Sequence, residues 1–457
     1  MRLGPLPSRG FQAPFASLAS SSARDGHTSA CAEALDSIHG VDLNPFAVAI
    51  ARFRLTVAAL QASGLSSLKD APAFDYHLVV GDSLLYGHSG TQEDLLASDE
   101  DFTYASEDIA SEPHILDRGR YHVVVGNPPY ITVKDKALNE AYRKAYATCK
   151  GKYALSVPFM ELFFELAIKG GDGPAGYVGQ ITSNSFMKRE FGSKVIEDLL
   201  SGIGALAFAN PVDLQYVIDT SGAYIPGHGT PTVILIGRRR RPIEESLRAV
   251  LGVRGEPGQP KDPSEGLVWT EIAGHLEDAS YDGTYVTVTV LDRAVLAEHP
   301  WSLSGGSAGE VMSYLDDAGS SRLQDLEVDI GMTDLTGEDD AFIFPRHLIN
   351  RLSAARPGLV IVEGDEVRDL FIGATNHVLL AHLPGGHDFD PPREWYERWW
   401  TLRTNLSNRK YFGQTPAERG LRWYDHAMFF DKRHQDSLFL AFAFVATHNH
   451  FAWIAAE

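Results

Sequence analysis

A short segment at residue 127 combines residue types that could hold a planar amino group. Asn127 is followed by Pro128 and Pro129, and two consecutive prolines remove two backbone donors and fix φ. The side-chain oxygen of Asn127 and the carbonyl oxygen of Pro128 are therefore left as rigid acceptors without a local donor. An –NH2 group that donates to both has its nitrogen lone pair drawn out of conjugation, so it can attack an electrophilic carbon held in line.

Tyr130 completes the segment, because its ring could stack on the ring that carries the amino group. We therefore expect Asn127, Pro128, Pro129 and Tyr130 to act in catalysis, and Tyr130 also to bind the substrate. The structural alternative is a strand-end turn with a buried tyrosine. Two prolines after a buried strand are costly and normally have positional meaning, which favours the functional interpretation.

Two carboxylates precede this segment, and each lies at the end of a short apolar run. Asp42 in HGVDLNP and Asp82 in VVGDSL each follow a short apolar run. An acid at the end of one strand can accept both ribose hydroxyls of a nucleoside cofactor, and an acid at the end of the next can accept the adenine amino group. Each acid alone could equally be a helix cap or a turn residue, since Asp and Asn often cap helices. Their order predicts a nucleoside-binding site.

The chain around Asp42 predicts a strand, a tight turn and a helix over residues 37–64. Asn44 suits the N-cap, Pro45 the first helical position and Gly64 the stop. The apolar residues of the helix recur on one face, which we expect to lie in the core. Those residues are Phe46, Ile50, Phe53, Val57 and Leu60.

Strand and helix patterns then alternate, which predicts an α/β fold with a largely parallel sheet covered on both faces. Ligands of such sheets lie beyond the carboxyl ends of the strands. Strands are expected at 76–82, 121–130, 176–182, 205–214 and 230–237, and helices at 160–171 and 191–203.

The pattern divides the 457 residues into three parts. Residues 1–35 are rich in Ser, Ala, Gly and Pro and predict an irregular segment, residues 36–242 carry the alternating pattern, and residues 243–457 predict a second domain of mixed α+β structure. No uninterrupted apolar run of about 18 residues and no signal peptide is found, so a cytoplasmic protein without a membrane span is expected.

The net charge and the cysteine content further limit the kinds of ligand and site that the protein could have. A formal net charge of −20 argues against indiscriminate nucleic-acid binding, although it leaves room for a locally basic cleft. The two cysteines, Cys31 and Cys149, cannot form a disulfide framework or a four-thiolate site, so no metal is expected.

The motif GNPPY after a VVV strand, with Asp42 and Asp82 ahead of it, resembles the adenine-specific DNA methyltransferases of the class-I S-adenosylmethionine-dependent fold. More narrowly, several blocks between about Asp36 and Arg241 resemble the phage growth limitation methyltransferases of BREX-type bacteriophage defence. The blocks are IHGVDLNPFAVAIARFRL, VVGNPPYITVKDK, ITSNSFMKREFG and DTSGAYIPGHGTPTVIL.

This resemblance implies a function. A methyl group would pass from S-adenosylmethionine to the 6-amino group of an adenine in double-stranded DNA, within a phage-defence system that could include other proteins. Asp42 would bind the cofactor ribose and Asp82 its adenine. Asn127 to Tyr130 would hold a target base flipped out of the duplex, and residues 243–457 would recognise the target sequence.

A flipped base needs aromatic contacts in place of the stack that it has lost. Tyr130 is one candidate, and Tyr216 or Tyr224 could cover the other face of the base. We favour Tyr224, with core packing as the structural alternative. The run Arg238–Arg241 could contact phosphates, but a solvated strand end facing Glu244 and Glu245 is the more ordinary interpretation.

One feature of the family is absent. No glycine-rich turn after an apolar strand occurs before Asp42, although the backbone must approach the methionine part of the cofactor there. We therefore expect a sheet without its central strand, a truncated or frameshifted product, and poor solubility from the exposed strand edge.

Two alternatives to DNA methylation follow. A protein-glutamine methyltransferase would use the same Asn-Pro-Pro-Tyr motif, because a glutamine amide presents the same planar –NH2 group; the other sequence blocks favour DNA. A catalytically inactive fragment that binds DNA or partner proteins is favoured by the missing turn.

Overall fold

The computed structural model divides the chain into two compact units, Met1–Ala318 and Gly319–Glu457. This boundary differs from the one predicted after residue 242, because the sheet of the first unit takes strands from residues beyond it. The structure describes residues 24–457 except 66, 68, 70, 72, 89–107, 172, 228, 304, 307–310, 312–313, 316–317, 320, 322–324, 326–327, 346, 350–358, 369, 374–375, 380–389, 435–437, 444–449 and 456–457.

The first unit begins with a helix that the sequence did not predict. Helix α1 spans Arg24–Asp36 and leads directly into strand β1, His39–Asp42. The expectation of an irregular segment over residues 1–35 is therefore wrong from Arg24 onwards, while residues 1–23 lie outside the described part. Cys31 and Leu35 of α1 are buried, and this contact stabilises a helix whose sequence has little periodicity of its own.

Helix α2, Pro45–Ala62, begins as predicted. Asn44 is its N-cap, with the Asn44 side chain accepting from the backbone N–H of Phe46 at 3.0 Å, and Pro45 occupies the first helical position. Gly64 follows the C-terminus with a φ of +68°, a conformation that favours glycine.

The buried face of α2 is not the predicted one. Val48, Leu55 and Ala59 are buried against α1 and strand β2, His77–Val80. Phe46 and Phe53 of the predicted face are 77% and 67% exposed, and Ile50 and Val57 are exposed as well. The reason is that α2 carries apolar residues on two sides, so periodicity alone does not distinguish its two faces. By length and composition α2 would also suit a membrane span, a test that core helices pass as well.

A seven-stranded sheet forms the centre of the first unit. Its strand order is β3-β4-β6-β5-β7-β9-β8. The strands are β3 Val123–Gly126, β4 Tyr177–Ser183, β5 Asp213–Asp219, β6 Thr232–Arg238, β7 Ser246–Gly252, β8 Tyr281–Asp282 and β9 Val286–Asp292.

The α/β class is confirmed, but the largely parallel sheet is not. Within the seven-stranded sheet β3–β4 and β5–β7 are parallel, whereas β4–β6, β5–β6, β7–β9 and β8–β9 are antiparallel. The strands beyond β4 are joined partly by short connections, which favour antiparallel pairing.

Strands β1 and β2 form a separate parallel pair. Within the described residues, β1 pairs only with β2, and β3 is an end strand of the large sheet. The free edges of β1 and β3 border one cavity, and the described residues place no strand between them. The sequence predicts a sheet without its central strand but does not say between which strands it would lie.

The remaining helices of the first unit cover the large sheet. They are α3 Ser83–His88, α4 Lys136–Ala145, α5 Ser156–Leu166 and α6 Leu267–His275. Helix α5 begins and ends earlier than the predicted 160–171, and the predicted helix at 191–203 is a 3-10 turn, Glu190–Gly192, followed by a π-helix, Val195–Leu200. Val157, Leu162, Val195 and Leu199 are fully buried in the main core.

The second unit has short strands around an aromatic core, which agrees with the mixed structure predicted there. Trp399 is fully buried and stacks on Tyr424, and its indole N–H donates to the carbonyl of Ala341 at 3.0 Å. The helices are α7 Asp339–Phe342, α8 Arg393–Thr401 and α9 Arg403–Asn408. The strands are β10 Asp334–Leu335, β11 Ile343–Pro345, β12 Leu359–Val360, β13 Val367–Arg368, β14 Phe371–Ile372, β15 Asn376–Val378, β16 Met428–Phe429, β17 Leu438–Phe442 and β18 Phe451–Ala455.

Gly192 offers a test of the packing next to the π-helix. A Cβ on Gly192 would lie 1.7 Å from the carbonyl oxygen of Phe186, whereas a Cβ on Gly258 would meet nothing within 4 Å. Gly192→Ala should lower the free energy of unfolding by about 1–3 kcal/mol because the backbone must shift. Gly258→Ala should change it by less than about 0.5 kcal/mol. Chemical denaturation of both variants measures the difference, and equal midpoints would contradict the packing described here.

Candidate functional site

The carboxyl ends of β1, β2 and β3 open into one cavity of about 490 Å³. Asp42, Asp82, Asn127, Pro128 and Pro129 all line it. Residues that are 85 positions apart in the chain are therefore brought together at one edge of the sheet, as expected for the carboxyl ends of parallel strands. The volume lies within the range of small-molecule and cofactor pockets.

Asp42 is the exposed acid of this cavity. It follows Val41 at the end of β1, and its Oδ1 accepts from the backbone N–H of Asn44 at 2.7 Å. The Oδ2 atom has no hydrogen-bond donor among the described residues. Asp42 therefore combines a turn contact on one oxygen with a second oxygen that is open to a ligand hydroxyl.

Asp82 is the buried acid, with 5% of its surface exposed. Its Oδ1 accepts from the backbone N–H groups of Leu84 and Leu85 at 2.9 and 3.1 Å and so caps α3. Its Oδ2 accepts from the hydroxyl of Tyr142, which is also buried. Asp82 is thus a helix cap, as the structural alternative predicted, and the same carboxylate also lines the cavity.

Tyr142 is a site residue that the sequence did not reveal. It lies on α4, 60 residues after Asp82, and lines the cavity. Helix α4 has apolar residues on one face, and that pattern predicts burial of Tyr142 but not its partner. Because Tyr142 and Asp82 are 60 residues apart, no short sequence motif could have predicted their contact.

Asn127 and Tyr130 contact each other directly. The Tyr130 hydroxyl donates to Oδ1 of Asn127 at 2.7 Å. Burial raises the pKa of Tyr130 to about 12, so the hydroxyl keeps its proton at neutral pH and remains a donor. The oxygen expected to accept from a substrate amino group already has one donor, and the ring of Tyr130 is not among the residues that line the cavity.

Gly126 sets the position of the segment. A Cβ on Gly126 would lie 2.4 Å from the ring of Phe163 on α5. The absent side chain lets the end of β3 lie directly against this helix, and a rigid Pro-Pro segment follows at once.

The two tyrosines considered for the far face of a base lie elsewhere. Tyr224 is half-buried in the connection between β5 and β6 and is not among the residues that line the cavity. Tyr216 on β5 donates to Glu277 at 3.4 Å, and burial together with this carboxylate raises the pKa of Tyr216. Its neighbours form a different apolar cluster, on the far part of the sheet.

The arginine run at 238–241 has a structural role that neither sequence interpretation anticipated. Arg238 donates to the carbonyl of Ala175 and lies over the ring of Tyr177, and Arg239 is buried and donates to the carbonyls of Glu165 and Ala167. Arg240 pairs with Asp213 at 2.8 Å. Three of the four side chains therefore bind groups at the ends of strands and of helix α5 inside the unit, and none of these three is paired with Glu244 or Glu245. In the part of the chain that the structure describes, no group of three metal-ligating side chains is found.

The two acids can be separated by their effect on stability. Asp82→Ala removes a helix cap and leaves the buried Tyr142 hydroxyl without its acceptor, so the free energy of unfolding should fall by about 2–4 kcal/mol. Asp42→Ala, at an exposed position, should lower it by less than about 1 kcal/mol. Denaturant titrations followed by circular dichroism compare them. An Asp82→Ala variant as stable as Asp42→Ala would show that the cap contributes little.

Residues 36–201 match the family model of the Eco57I restriction-modification methylase. The chain is 45% identical over 440 residues to the adenine-specific methyltransferase PglX of Streptomyces coelicolor, an alignment that covers 91% of this chain and 35% of PglX. The chain thus spans about a third of the length of this curated relative.

Several solved structures are similar at low identity. The type IIL restriction-modification enzyme MmeI in complex with DNA matches at 12% identity, with a TM-score of 0.46 and coverage of 94% of this chain and 56% of that one. A modification subunit of a putative type I restriction enzyme from Vibrio vulnificus YJ016 matches at 12% identity, with a TM-score of 0.38 and coverage of 62% and 51%.

The resemblance inferred from the sequence blocks is confirmed by the match to PglX and by the family model. The chain is therefore similar to these methylases: residues 36–201 to the Eco57I restriction-modification methylase family, and 91% of its length to the adenine-specific methyltransferase PglX.

Proposed function

We propose that this chain transfers a methyl group from S-adenosylmethionine to the 6-amino group of adenine in double-stranded DNA, in the cytoplasm and as part of bacteriophage defence. The observation that carries the proposal is the meeting of Asp42, Asp82 and the Asn127–Pro129 segment in one cavity. The relation to PglX, whose name specifies adenine, supports adenine as the target.

The acids suit the nucleoside part of the cofactor. The open Oδ2 of Asp42 can accept from ribose hydroxyls, and the cavity is large enough for a nucleoside. The carboxylate of Asp82 already accepts hydrogen bonds from Tyr142 and from two backbone N–H groups. An adenine amino group would therefore use a remaining lone pair of Asp82. When bound, S-adenosylmethionine supplies an electrophilic methyl group.

The Asn127 segment acts on the target base. Its side-chain oxygen and the Pro128 carbonyl accept from the adenine amino group and direct the nitrogen lone pair at the methyl carbon. With S-adenosylmethionine held by Asp42 and Asp82, Asn127 and Pro128 would keep the amino nitrogen in line with its methyl group; the methyl carbon would pass from sulfur to nitrogen, and one amino proton would pass to water. No residue is assigned as a general base.

Tyr130 must change its contacts for this step. Its hydroxyl now donates to Asn127, so the incoming amino group replaces that donor and the ring becomes free to stack on the base. Tyr224 is proposed for the opposite face of the base, which requires the connection between β5 and β6 to move towards the cavity, as loops that close over substrates do.

Partners follow from the same proposal. The target adenine is flipped out of duplex DNA, because the cavity cannot receive a base that is still stacked. Residues 319–457 recognise the target sequence, and other phage-defence proteins assemble with the chain. The exposed Trp400, with Arg403 4.5 Å from its ring centre, is a surface suited to such contacts.

Calorimetric titration with S-adenosylmethionine tests the cofactor half of the site. Asp42→Ala should weaken binding at least about tenfold, because hydrogen bonds to a charged acceptor are lost. Asn127→Ala should leave the affinity unchanged within about threefold, because Asn127 is assigned to the base. No heat from a folded wild-type chain would favour the alternative of an inactive fragment that binds DNA or partner proteins.

Methylation assays on duplex DNA test the base half. Tyr130→Phe keeps the ring and frees the Asn127 oxygen, so its rate should stay within about threefold of wild type. Tyr130→Ala should lose at least about tenfold, since stacking on a base contributes about 1–3 kcal/mol. Equal losses in both variants would contradict a stacking role. A release-factor-like peptide methylated in preference to DNA would instead favour the protein-glutamine alternative.

A further inference from the structure

Two residues of the second unit combine backbone strain with an exposed apolar side chain. Among the described residues, Leu370 and Phe412 are the two that have a positive φ without being glycine, with values of +71° and +53°. They are 83% and 82% exposed. A bulky residue is disfavoured in this part of φ/ψ space, and strained residues concentrate where a structure has a function. Each of the two therefore needs an explanation beyond folding.

Phe412 lies at the tip of a two-residue turn. The backbone N–H of Tyr411 donates to the carbonyl of Gln414 at 2.9 Å, and the N–H of Gln414 donates back to the carbonyl of Tyr411 at 3.2 Å. The central residues Phe412 and Gly413 have φ values of +53° and +79°, and a type I′ turn requires a positive φ at both positions. Such turns prefer Asn or Asp followed by Gly. Gly413 follows this rule and Phe412 does not, so turn chemistry does not explain the phenylalanine.

The base of this turn is held by contacts within the second unit. The rings of Tyr411 and Phe412 meet edge to face, with their centres 4.5 Å apart. The guanidinium of Arg419 lies 5.6 Å from the centre of the Tyr411 ring and donates to the carbonyl of Ala427 at 2.7 Å. The Phe412 ring is therefore presented to solvent from a supported position.

The chain around the turn is basic, although the whole protein has a formal net charge of −20. Residues 408–420 contain three cations, Arg409, Lys410 and Arg419, and one acid, Glu418. Lys410 is exposed, and the three cations line a small cavity of about 40 Å³ beside the turn. The ring therefore projects from a surface that attracts a negatively charged ligand.

Protein and DNA ligands have different requirements for such a ring. A docked protein needs a contiguous apolar surface, but the exposed neighbours of Phe412 are Lys410, Gly413 and Gln414. Duplex DNA can take a single apolar side chain between two base pairs, while nearby cations contact the phosphates. The turn meets the requirements of duplex DNA.

We propose that Phe412 is a wedge that inserts between neighbouring base pairs of duplex DNA, with Lys410 on an adjacent phosphate. The proposal rests on the proposed function in one respect, which is duplex DNA as the ligand. Unstacking a base step costs least at flexible pyrimidine–purine steps such as TA and most in stiff A-tracts. The wedge therefore selects DNA by its flexibility, without a hydrogen bond to a base.

Two fluorescein-labelled duplexes test the wedge. One has a central run of TA repeats, and the other has a central A-tract of the same length between the same GC ends. Fluorescence anisotropy with the full wild-type chain should show at least about fivefold tighter binding of the TA duplex. Phe412→Asn should bind the TA duplex at least about fivefold more weakly and lose most of this preference, because the stacking ring is gone. Phe412→Tyr keeps a ring and should bind within about threefold of wild type.

Leu370 provides the matched control. It lies in the turn between β13 and β14, and the chain before it carries Glu363, Asp365 and Glu366, so its surroundings repel DNA. Asn tolerates a positive φ better than Leu or Phe, so Leu370→Asn and Phe412→Asn should both unfold at a higher denaturant concentration than wild type. Leu370→Asn should nevertheless bind the TA duplex within about twofold of wild type.

Three results would overturn the proposal: equal DNA affinities of Phe412→Asn and wild type, an equal loss of affinity in Leu370→Asn, or no binding of either duplex by the folded wild-type chain. Methylation of plasmid DNA of mixed sequence is measured beside binding. A chain that binds the TA duplex through Phe412 without methylating DNA would support the wedge and contradict the proposed function. A chain that methylates DNA and binds equally well as Phe412→Asn would overturn the wedge alone.

Discussion

The hydrogen bond from Tyr142 to Asp82 joins the two parts of the site. Asp82 follows β2, in the two-stranded pair that carries the acids, and Tyr142 lies on α4, which follows the Asn127 segment of the large sheet. No backbone ladder connects these two sheets within the described residues. Their relative position therefore depends on side-chain contacts: this bond, the contact of His39 with Tyr121, and the bond from the Tyr146 hydroxyl to the carbonyl of Leu84.

Much of the site could be predicted because its signals are local. Asn44, Pro45 and Gly64 act as a cap, a first helical residue and a stop, and each role depends on neighbouring residues only. The acids and the Asn-Pro-Pro segment meet because strand ends meet, a rule that requires only the order of the strands. What the sequence did not give was Tyr142, whose partner is distant in the chain, and the antiparallel half of the sheet.

The errors have a common cause. Helix α2 is apolar on two sides, and the arginines at 238–241 could face water, phosphate or carbonyl groups. In both cases the residue type limits the possible neighbours without choosing among them. The choice depends on tertiary packing, here α1 against Val48 and Leu55, and the C-terminal end of α5 against Arg239. The helix at Arg24–Asp36 was missed for the same reason, since its own sequence shows little periodicity.

The bond between Tyr130 and Asn127 has a consequence for selectivity. Under the proposed function, an amino group that displaces the Tyr130 hydroxyl from the Asn127 oxygen gains only the difference between two hydrogen bonds. A group with a single donor could satisfy either the Asn127 oxygen or the Pro128 carbonyl, but it would leave the other acceptor, or the displaced hydroxyl, without compensation. A group with two donors would bond both the Asn127 oxygen and the Pro128 carbonyl, and this would offset the loss of the hydrogen bond from Tyr130. Under the same proposal a thymine, which has a carbonyl oxygen at the corresponding position, would place an acceptor against the Asn127 oxygen and would therefore be disfavoured.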